Sequence, residues 1–326
     1  MKQVKSIQYL SQGLHKTGGF RHEKVLYESI CKYYGATKVK TSFERKKKNY
    51  NTVFGHFYLL AWSFFKSNAS INIVTSRLAL SAVIRNLFNN NEILIVLHNF
   101  DPNDGKSLVF KKYFNFLFYA LRKMKSKRFK VIAVSSFWKK YFEETIHLPN
   151  VYQFSNYYEI EKYQQMQKKD KNLWIHLGQW STKNDEAIFG LAQKLSLDGF
   201  YCYFSTTDSA AAKSNNGSYE IICFHDFKDY LEQVSMSLCT LALPKINEGW
   251  NRVAHESMLL STPVIGYDKG GLGDLMKESH SIIVKNIEEV YICIKDNLFV
   301  LPQNDFIQKY DVSNVSLELE KICKTH

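Results

Sequence analysis

The chain has 326 residues, enough for two domains of ordinary size, each with its own core. Hydrophobic residues make up 45% and charged residues 23%, which fits a soluble globular protein and not a disordered chain. The net charge is +12 but unevenly spread: residues 1–150 hold 26 Lys and Arg against 8 Asp and Glu, while residues 151–326 hold 17 against 23.

In chain order, Val4–Leu10 reads as a strand, followed by a glycine-rich loop from Ser11 to Phe20 that contains Gly18 and Gly19. Arg21–Tyr34 has helical spacing. Val39–Phe43 reads as a strand and Glu44–Asn51 as a basic loop. The stretch from Val53 to Phe65 is the longest apolar one, interrupted by Gly55, His56 and Ser63 and too short to span a bilayer. Strand, helix and strand follow at Ile71–Thr75, Leu78–Leu87 and Ile93–Leu97. Ser107–Lys127 reads as a long helix, Val131–Val134 as a strand and Phe137–Thr145 as a helix. His147–Tyr158 looks like a crossover between domains, with a polar helical stretch from Glu159 to Lys171. The second half continues with strands at Leu173–Leu177, Phe200–Phe204, Tyr219–Cys223, Leu238–Leu243 and Pro263–Tyr267. Short β-branched runs between helical periods indicate βα units and parallel sheets. The expected architecture is α/β, two doubly wound Rossmann-like domains with a cleft between them. Ligands in such sheets bind beyond the carboxyl ends of strands.

The charge asymmetry implies a polyanionic partner for the first half, either nucleic acid or an anionic membrane. The six cysteines (Cys31, Cys202, Cys223, Cys239, Cys293, Cys323) include no Cys-x-x-Cys pair. That spacing argues against a zinc site or a disulfide framework and suits a reducing cytosol. Met1–Ile7 lacks the apolar run of a signal peptide. The chain has no Asp-x-Asp, no His-Glu-x-x-His, no P-loop and no Gly-x-Ser-x-Gly elbow.

The most informative stretch runs from Glu248 through Gly249, Trp250, Asn251 and Arg252 to His255 and Glu256. Thr262-Pro263-Val264-Ile265-Gly266 and Gly270-Gly271 follow. This order places Glu248 just before a helix N-terminus and Glu256 about two turns along the helix. A helix N-terminus attracts anions through its unpaired N–H groups and dipole. A nucleotide-sugar can lie over such an end, with its diphosphate on the N–H groups and the two carboxylates accepting sugar and ribose hydroxyls.

The stretch resembles the E-x7-E motif of retaining family-4 glycosyltransferases, which have the GT-B fold. The resemblance covers nearly the whole chain in layout and is specific at residues 238–276. It implies an N-terminal acceptor domain, 1–155, and a C-terminal nucleotide-sugar domain, 156–326, with part of Asp305–Cys323 crossing back to the first. The implied reaction moves a sugar, with retention, from a nucleotide diphosphate donor (UDP-linked on this reading) to a saccharide or lipid-linked acceptor. Bacterial-type surface polysaccharide or glycoconjugate synthesis is the expected setting. No metal or other cofactor is expected.

Glu248 would hold donor-sugar hydroxyls and Glu256 the ribose. Gly249, Trp250, Asn251 and Arg252 would meet the diphosphate. His98, ending a strand, matches a family histidine that contacts the donor sugar, and Gly18-Gly19 matches a diglycine loop facing the donor. Lys183, in Gly178-Gln179-Trp180-Ser181-Thr182-Lys183, matches a family lysine that neutralises the diphosphate. The family's accompanying arginine is replaced by Gln179, and Arg252 is one candidate substitute. Ser135 reads as a helix cap. Asp274 stands where the family often has Glu, and a helix-start carboxylate explains it equally well. A GT-B nucleotide-sugar epimerase or hydrolase would share the donor site. A basic nucleic-acid-binding protein would leave the motif unexplained, so no nucleic-acid partner is expected.

The helix expected at Ser107–Lys127 has two faces. Phe110, Tyr113, Phe114, Leu117, Leu121 and Met124 form one apolar stripe, which should face the core. Lys112, Phe116, Tyr119 and Lys123 lie opposite. Lysines interleaved with aromatics suit the headgroup region of an anionic membrane. The expected location is therefore cytoplasmic, peripheral on the inner face of the cytoplasmic membrane.

Overall fold

The computed structural model describes residues 6–11, 18–36, 39–43, 53–100, 108–124, 126–168, 172–213 and 217–324. They form two compact units, Met1–Tyr157 with Ser313–His326, and Tyr158–Val312. The first unit runs β1 (Ile7–Ser11), α1 (Gly18–Tyr34), β2 (Val39–Phe43), α2 (Val53–Lys66), β3 (Ile71–Thr75), α3 (Ala79–Leu87), β4 (Glu92–Leu97), α4 (Leu108–Met124), β5 (Phe129–Ala133), α5 (Ser136–Lys140) and β6 (Val151–Gln153). Its strands pair in parallel in the order β2-β1-β3-β4-β5-β6. Every residue of β1, β4 and β5 is buried, as befits strands covered on both faces. By the right-handed crossover rule α2, α3 and α4 belong on one face of this sheet.

The second unit runs α6 (Ile160–Gln164), β7 (Trp174–Gln179), α7 (Ala187–Leu197), β8 (Tyr201–Thr206), β9 (Glu220–Cys223), α8 (Phe227–Met236), β10 (Cys239–Ala242), α9 (Arg252–Leu259), β11 (Val264–Tyr267), α10 (Gly271–Glu278), β12 (Ile282–Val284), α11 (Ile287–Lys295) and α12 (Asn304–Lys309). Its sheet is also parallel, in the order β12-β11-β10-β7-β8-β9. β7 and β10, at the middle of the order, are the strands whose following loops carry Lys183 and Glu248.

The final helix, α13 (Ser316–Cys323), belongs to the first unit. A buried ion pair anchors it: Lys130 Nζ, in β5, lies 2.6 Å from Glu92 Oε1 and donates to the Ile322 carbonyl at 2.6 Å. The Glu318 carboxylate accepts from the Ser155 backbone N–H at 2.7 Å and from its hydroxyl at 2.8 Å. The Tyr34 hydroxyl donates to the Cys323 carbonyl at 3.4 Å. A buried lysine in an interior strand is tolerated because it meets two acceptors, the Glu92 carboxylate and the Ile322 carbonyl.

Most elements fall where the sequence places them, and the departures have physical reasons. Gly18 and Gly19 open α1 instead of lying in a loop; Ser11 ends β1, and residues 12–17 lie outside the described residues, as does the expected basic loop Glu44–Asn51. The apolar stretch from Val53 is a helix, α2. The crossover His147–Tyr158 contains an edge strand, β6, of only 3 residues, and β12 is equally short. Three residues carry too little periodicity to stand out. The helix expected at Phe137–Thr145 splits into α5 and a π-helical turn, Tyr141–Thr145. Ser135 caps α5, its hydroxyl accepting from the Trp138 N–H.

One buried histidine makes the stability of the second unit depend on pH. His176, in β7, is wholly buried against Tyr203, with ring nitrogens 3.0 Å from Ser205 Oγ and 3.3 Å from Thr240 Oγ1. Burial pushes its pKa down to about 3. The folded ring therefore stays neutral while the unfolded one protonates below about 6.5. Stability is fully present above that value and declines as pH falls toward 3, by up to about 1.4 kcal/mol per pH unit. Urea unfolding of the wild type and His176→Gln between pH 7 and pH 4.5 should show the wild type losing more. Parallel pH dependences would contradict a neutral buried His176.

Candidate functional site

The second unit gathers the motif residues on loops that leave adjacent strand ends. β10 pairs with β7 in parallel, so the segments after Ala242 and after Gln179 start side by side. They are then joined by backbone. Asp185 N–H donates to the Leu243 carbonyl at 2.9 Å, Lys245 N–H donates to the Lys183 carbonyl at 2.8 Å, and Asn184 pairs with Pro244 in antiparallel register. The Tyr267 hydroxyl, at the end of β11, donates to Asp185 Oδ2 at 3.0 Å. This stitching sets Lys183 Nζ 3.9 Å from Glu248 Oε1. The Lys183 side chain is 50% exposed and that of Glu248 only 18%, so the lysine faces solvent while the carboxylate is mostly covered.

Gly270 and Gly271 hold the Glu248 turn from the other side. Gly271 N–H donates to the Glu248 carbonyl at 2.9 Å. Gly270 has φ +60°, and a Cβ there would stand 2.6 Å from that carbonyl oxygen. Only glycine fits both the dihedral and the approach. The diglycine thus seats the first glutamate of the motif and also opens α10.

The rest of the motif packs inward. Asn251 has φ +26°, and its Oδ1 caps α9 by accepting from Ala254 N–H at 2.9 Å. Trp250 is buried, and its indole N–H donates to His255 Nδ1 at 2.9 Å. Burial, and then the Arg252 charge, push His255 well below the usual histidine range. The neutral ring can therefore accept that bond, among Tyr158, Phe306 and Tyr310. Arg252 donates to Glu256 Oε1 at 2.9 Å, and its guanidinium lies 4.7 Å from the Tyr158 ring centroid. The Glu256 side chain is only 6% exposed. In this arrangement Arg252 is paired with Glu256 and the Trp250 ring is buried.

The first unit holds a separate polar cluster. His98, just past β4, places Nε2 2.9 Å from Glu23 Oε1. The other Glu23 oxygen accepts from the buried Tyr9 hydroxyl. Burial first, and the Glu23 carboxylate second, hold that hydroxyl above the usual tyrosine range. A Cβ on Gly19 would stand 3.0 Å from His98 Nε2, so the absence of a side chain at 19 is what leaves the imidazole its place. His98 and Gly19 are therefore neighbours, although the sequence presents them 79 positions apart. His22 packs edge-on against His98 with centroids 5.4 Å apart. Sequence reasoning missed Glu23. A lone glutamate in an amphipathic helix gives no signal of its own, and only the fold brings it to His98.

Among the described residues, no group of three or more His, Cys, Asp and Glu is placed to hold a metal ion. No protein-family model and no curated protein matches the chain. Solved structures do. A glycosyltransferase from Rickettsia africae matches with a TM-score of 0.65 at 16% identity, over 100% of both chains. HepE of Anabaena, solved with UDP-glucose, gives a TM-score of 0.70 at 13% identity over 98% of this chain and 100% of its own. Sucrose-phosphate synthase from Thermosynechococcus elongatus gives 0.69 at 11% identity over 98% of each chain. The chain has the GT-B fold. At such identities it is the GT-B architecture, with its two parallel sheets, that the likeness establishes.

The diglycine yields a direct test of the site's construction. Gly270→Ala forces an L side chain into a left-handed backbone against the Glu248 carbonyl, and should cost about 1–3 kcal/mol of stability. Gly190→Ala is the control, because Gly190 lies in α7 with no atom within 4 Å of an added Cβ. It should be neutral or stabilising by a few tenths of a kcal/mol. Equal urea midpoints for the two variants would refute the seating of Glu248 by Gly270.

Proposed function

We propose that the protein is a retaining, family-4-type glycosyltransferase of metal-independent mechanism. The observation that carries this reading is the Lys183–Glu248 pair, 3.9 Å apart on two stitched loops beside the start of α9. On this reading the second unit holds a nucleoside diphosphate sugar. HepE solved with UDP and UDP-glucose, on the same fold, supports a UDP-linked donor. Lys183 neutralises the diphosphate, together with the backbone N–H groups from Gly249 to Arg252. Fixed positive groups at the point where charge develops on the leaving diphosphate lower the barrier without reorganising. Glu248 accepts the hydroxyls of the donor sugar. Glu256 takes the ribose hydroxyls, its orientation set by Arg252. In the first unit His98 and the Gly18-Gly19 pair are the groups assigned to the sugar, and Glu23 holds the imidazole. The acceptor attacks on the face that the diphosphate leaves, and the departing phosphate oxygen takes the acceptor proton.

The acceptor is a saccharide, free or lipid-linked. S. aureus TarM, another structure matched by the chain (TM-score 0.57, 14% identity, 81% of this chain and 59% of that one), was solved with fondaparinux, α-GlcNAc-glycerol and UDP. The setting is surface polysaccharide or glycoconjugate synthesis, with the protein peripheral on the inner face of the cytoplasmic membrane. Among the described residues no helix is long and apolar enough to cross a membrane.

Two measurements test the donor site. A hydrogen bond to a charged group contributes about 1.5–3 kcal/mol, so Glu248→Gln should lower kcat/KM about tenfold to a hundredfold with folding unchanged. Wild-type kinetics in that variant would remove Glu248 from the site. Calorimetry of Lys183→Ala with UDP, UMP and uridine should show the loss concentrated on UDP. Equal losses on all three ligands would mean that Lys183 does not read the second phosphate.

A further inference from the structure

Three helices packed side by side in the first unit share a composition that the donor site does not use. The segments 53–66, 76–88 and 108–124, which contain α2, α3 and α4, hold seven Lys and Arg and no Asp or Glu. Their outer faces are apolar as well as basic. Among the described residues seven aromatic side chains are exposed, and six lie here: Phe57, Tyr58, Phe65, Phe88, Phe116 and Tyr119. Phe65 is 73% exposed and Phe88 76%, more than any other aromatic described. Leu87, Leu108 and Val109 are exposed beside them.

The helices form one layer. Ser63 Oγ in α2 donates to the Leu78 carbonyl at 3.1 Å, and the Arg85 guanidinium in α3 lies 5.4 Å from the Phe64 ring centroid. The Tyr113 hydroxyl in α4 donates to the Ser76 carbonyl at 3.0 Å and accepts from Leu80 N–H at 3.2 Å. Within α4, Phe114, Leu117 and Leu121 are buried while Lys112, Phe116, Tyr119 and Lys123 face out. The two-faced pattern expected of α4 is therefore present, and α2 and α3 extend it sideways.

We propose that the outer face of α2, α3 and α4 docks on an anionic lipid bilayer, with Phe65 and Phe88 inserting at headgroup depth and the lysines and arginines holding the lipid phosphates. The inference deepens the peripheral-membrane reading above and extends it to two helices beyond α4. Three features select a bilayer as the occupant. The face lacks acidic side chains, so nothing on these helices repels a negative leaflet. Its exposed groups are aromatic and aliphatic, which gain from entering the interfacial region. The exposed aliphatics Leu87, Leu108 and Val109 separate a bilayer from a nucleic acid, because base stacking uses aromatic rings and has no use for aliphatic side chains. Near an anionic leaflet each Lys or Arg raises partitioning about fivefold, an effect that decays within a Debye length.

The test is sedimentation with vesicles of phosphatidylglycerol or of phosphatidylcholine. The wild type should bind the anionic vesicles at low salt, ignore the neutral ones, and be released by high salt. Phe65→Ser with Phe88→Ser should reduce binding at least tenfold, and Lys112→Glu with Lys123→Glu should reduce it similarly. Neither pair should change UDP affinity. Phe88→Trp should gain fluorescence quenching by brominated lipid, which Tyr201→Trp, on the second unit, should not. A wild type that ignores anionic vesicles at low salt overturns the proposal. So does vesicle binding that survives both pairs of substitutions, or tight RNA binding indifferent to the Phe→Ser changes. Vesicle binding without UDP binding would instead defeat the donor reading and leave this surface standing.

Discussion

Two loops leave the ends of neighbouring parallel strands, and the chemistry proposed for the second unit depends on their being tied together. Parallel pairing of β7 and β10 brings the loop origins close, but pairing stops at the strand ends. Two backbone hydrogen bonds and the Asn184–Pro244 bridge continue it across the loops. A lysine and a glutamate 65 positions apart in sequence are thereby held 3.9 Å apart, the lysine half-exposed. A pair with one partner so exposed contributes little to stability. Its value is positional: it fixes a cation beside the Glu248 turn.

A second pair lies along the same motif. Arg252 and Glu256 are a turn apart on α9, mostly buried, hydrogen-bonded and covered by Tyr158. Burying either alone would be costly; together, with an aromatic face over the guanidinium, they are tolerated. Trp250 and His255 complete the packing, and His255 accepts the indole proton because its site keeps it neutral. Of these side chains Lys183 is half-exposed; Glu248, at 18%, is covered nearly as far as Arg252, at 16%, and Trp250, His255 and Glu256 are buried.

Much of this was legible before any coordinates. The βα alternation, both parallel sheets and most strand positions follow from apolar β-branched runs between helical periods. What escaped has identifiable causes. β6 and β12 are too short to show periodicity. Gly18 and Gly19 read as a loop because glycine is a poor helix former, yet α1 begins with them where His98 needs the space. The Arg252–Glu256 pair, Glu23 beside His98 and the link from Gly270 to Glu248 do not show in the sequence, because each is a contact that only the folded chain makes.

The claim most open to direct trial is that the second unit is built for a nucleoside diphosphate sugar. Thermal unfolding can be followed in the presence of UDP, GDP, ADP and their glucose conjugates, each at millimolar concentration. A ligand at about a hundred times its Kd adds roughly 2.7 kcal/mol to the stability of the state that binds it, a shift of several degrees for a protein of this size. Such a shift is expected for one nucleoside diphosphate series, UDP foremost, with the sugar conjugate at least as effective as the bare diphosphate. An unchanged midpoint across the whole panel would contradict it.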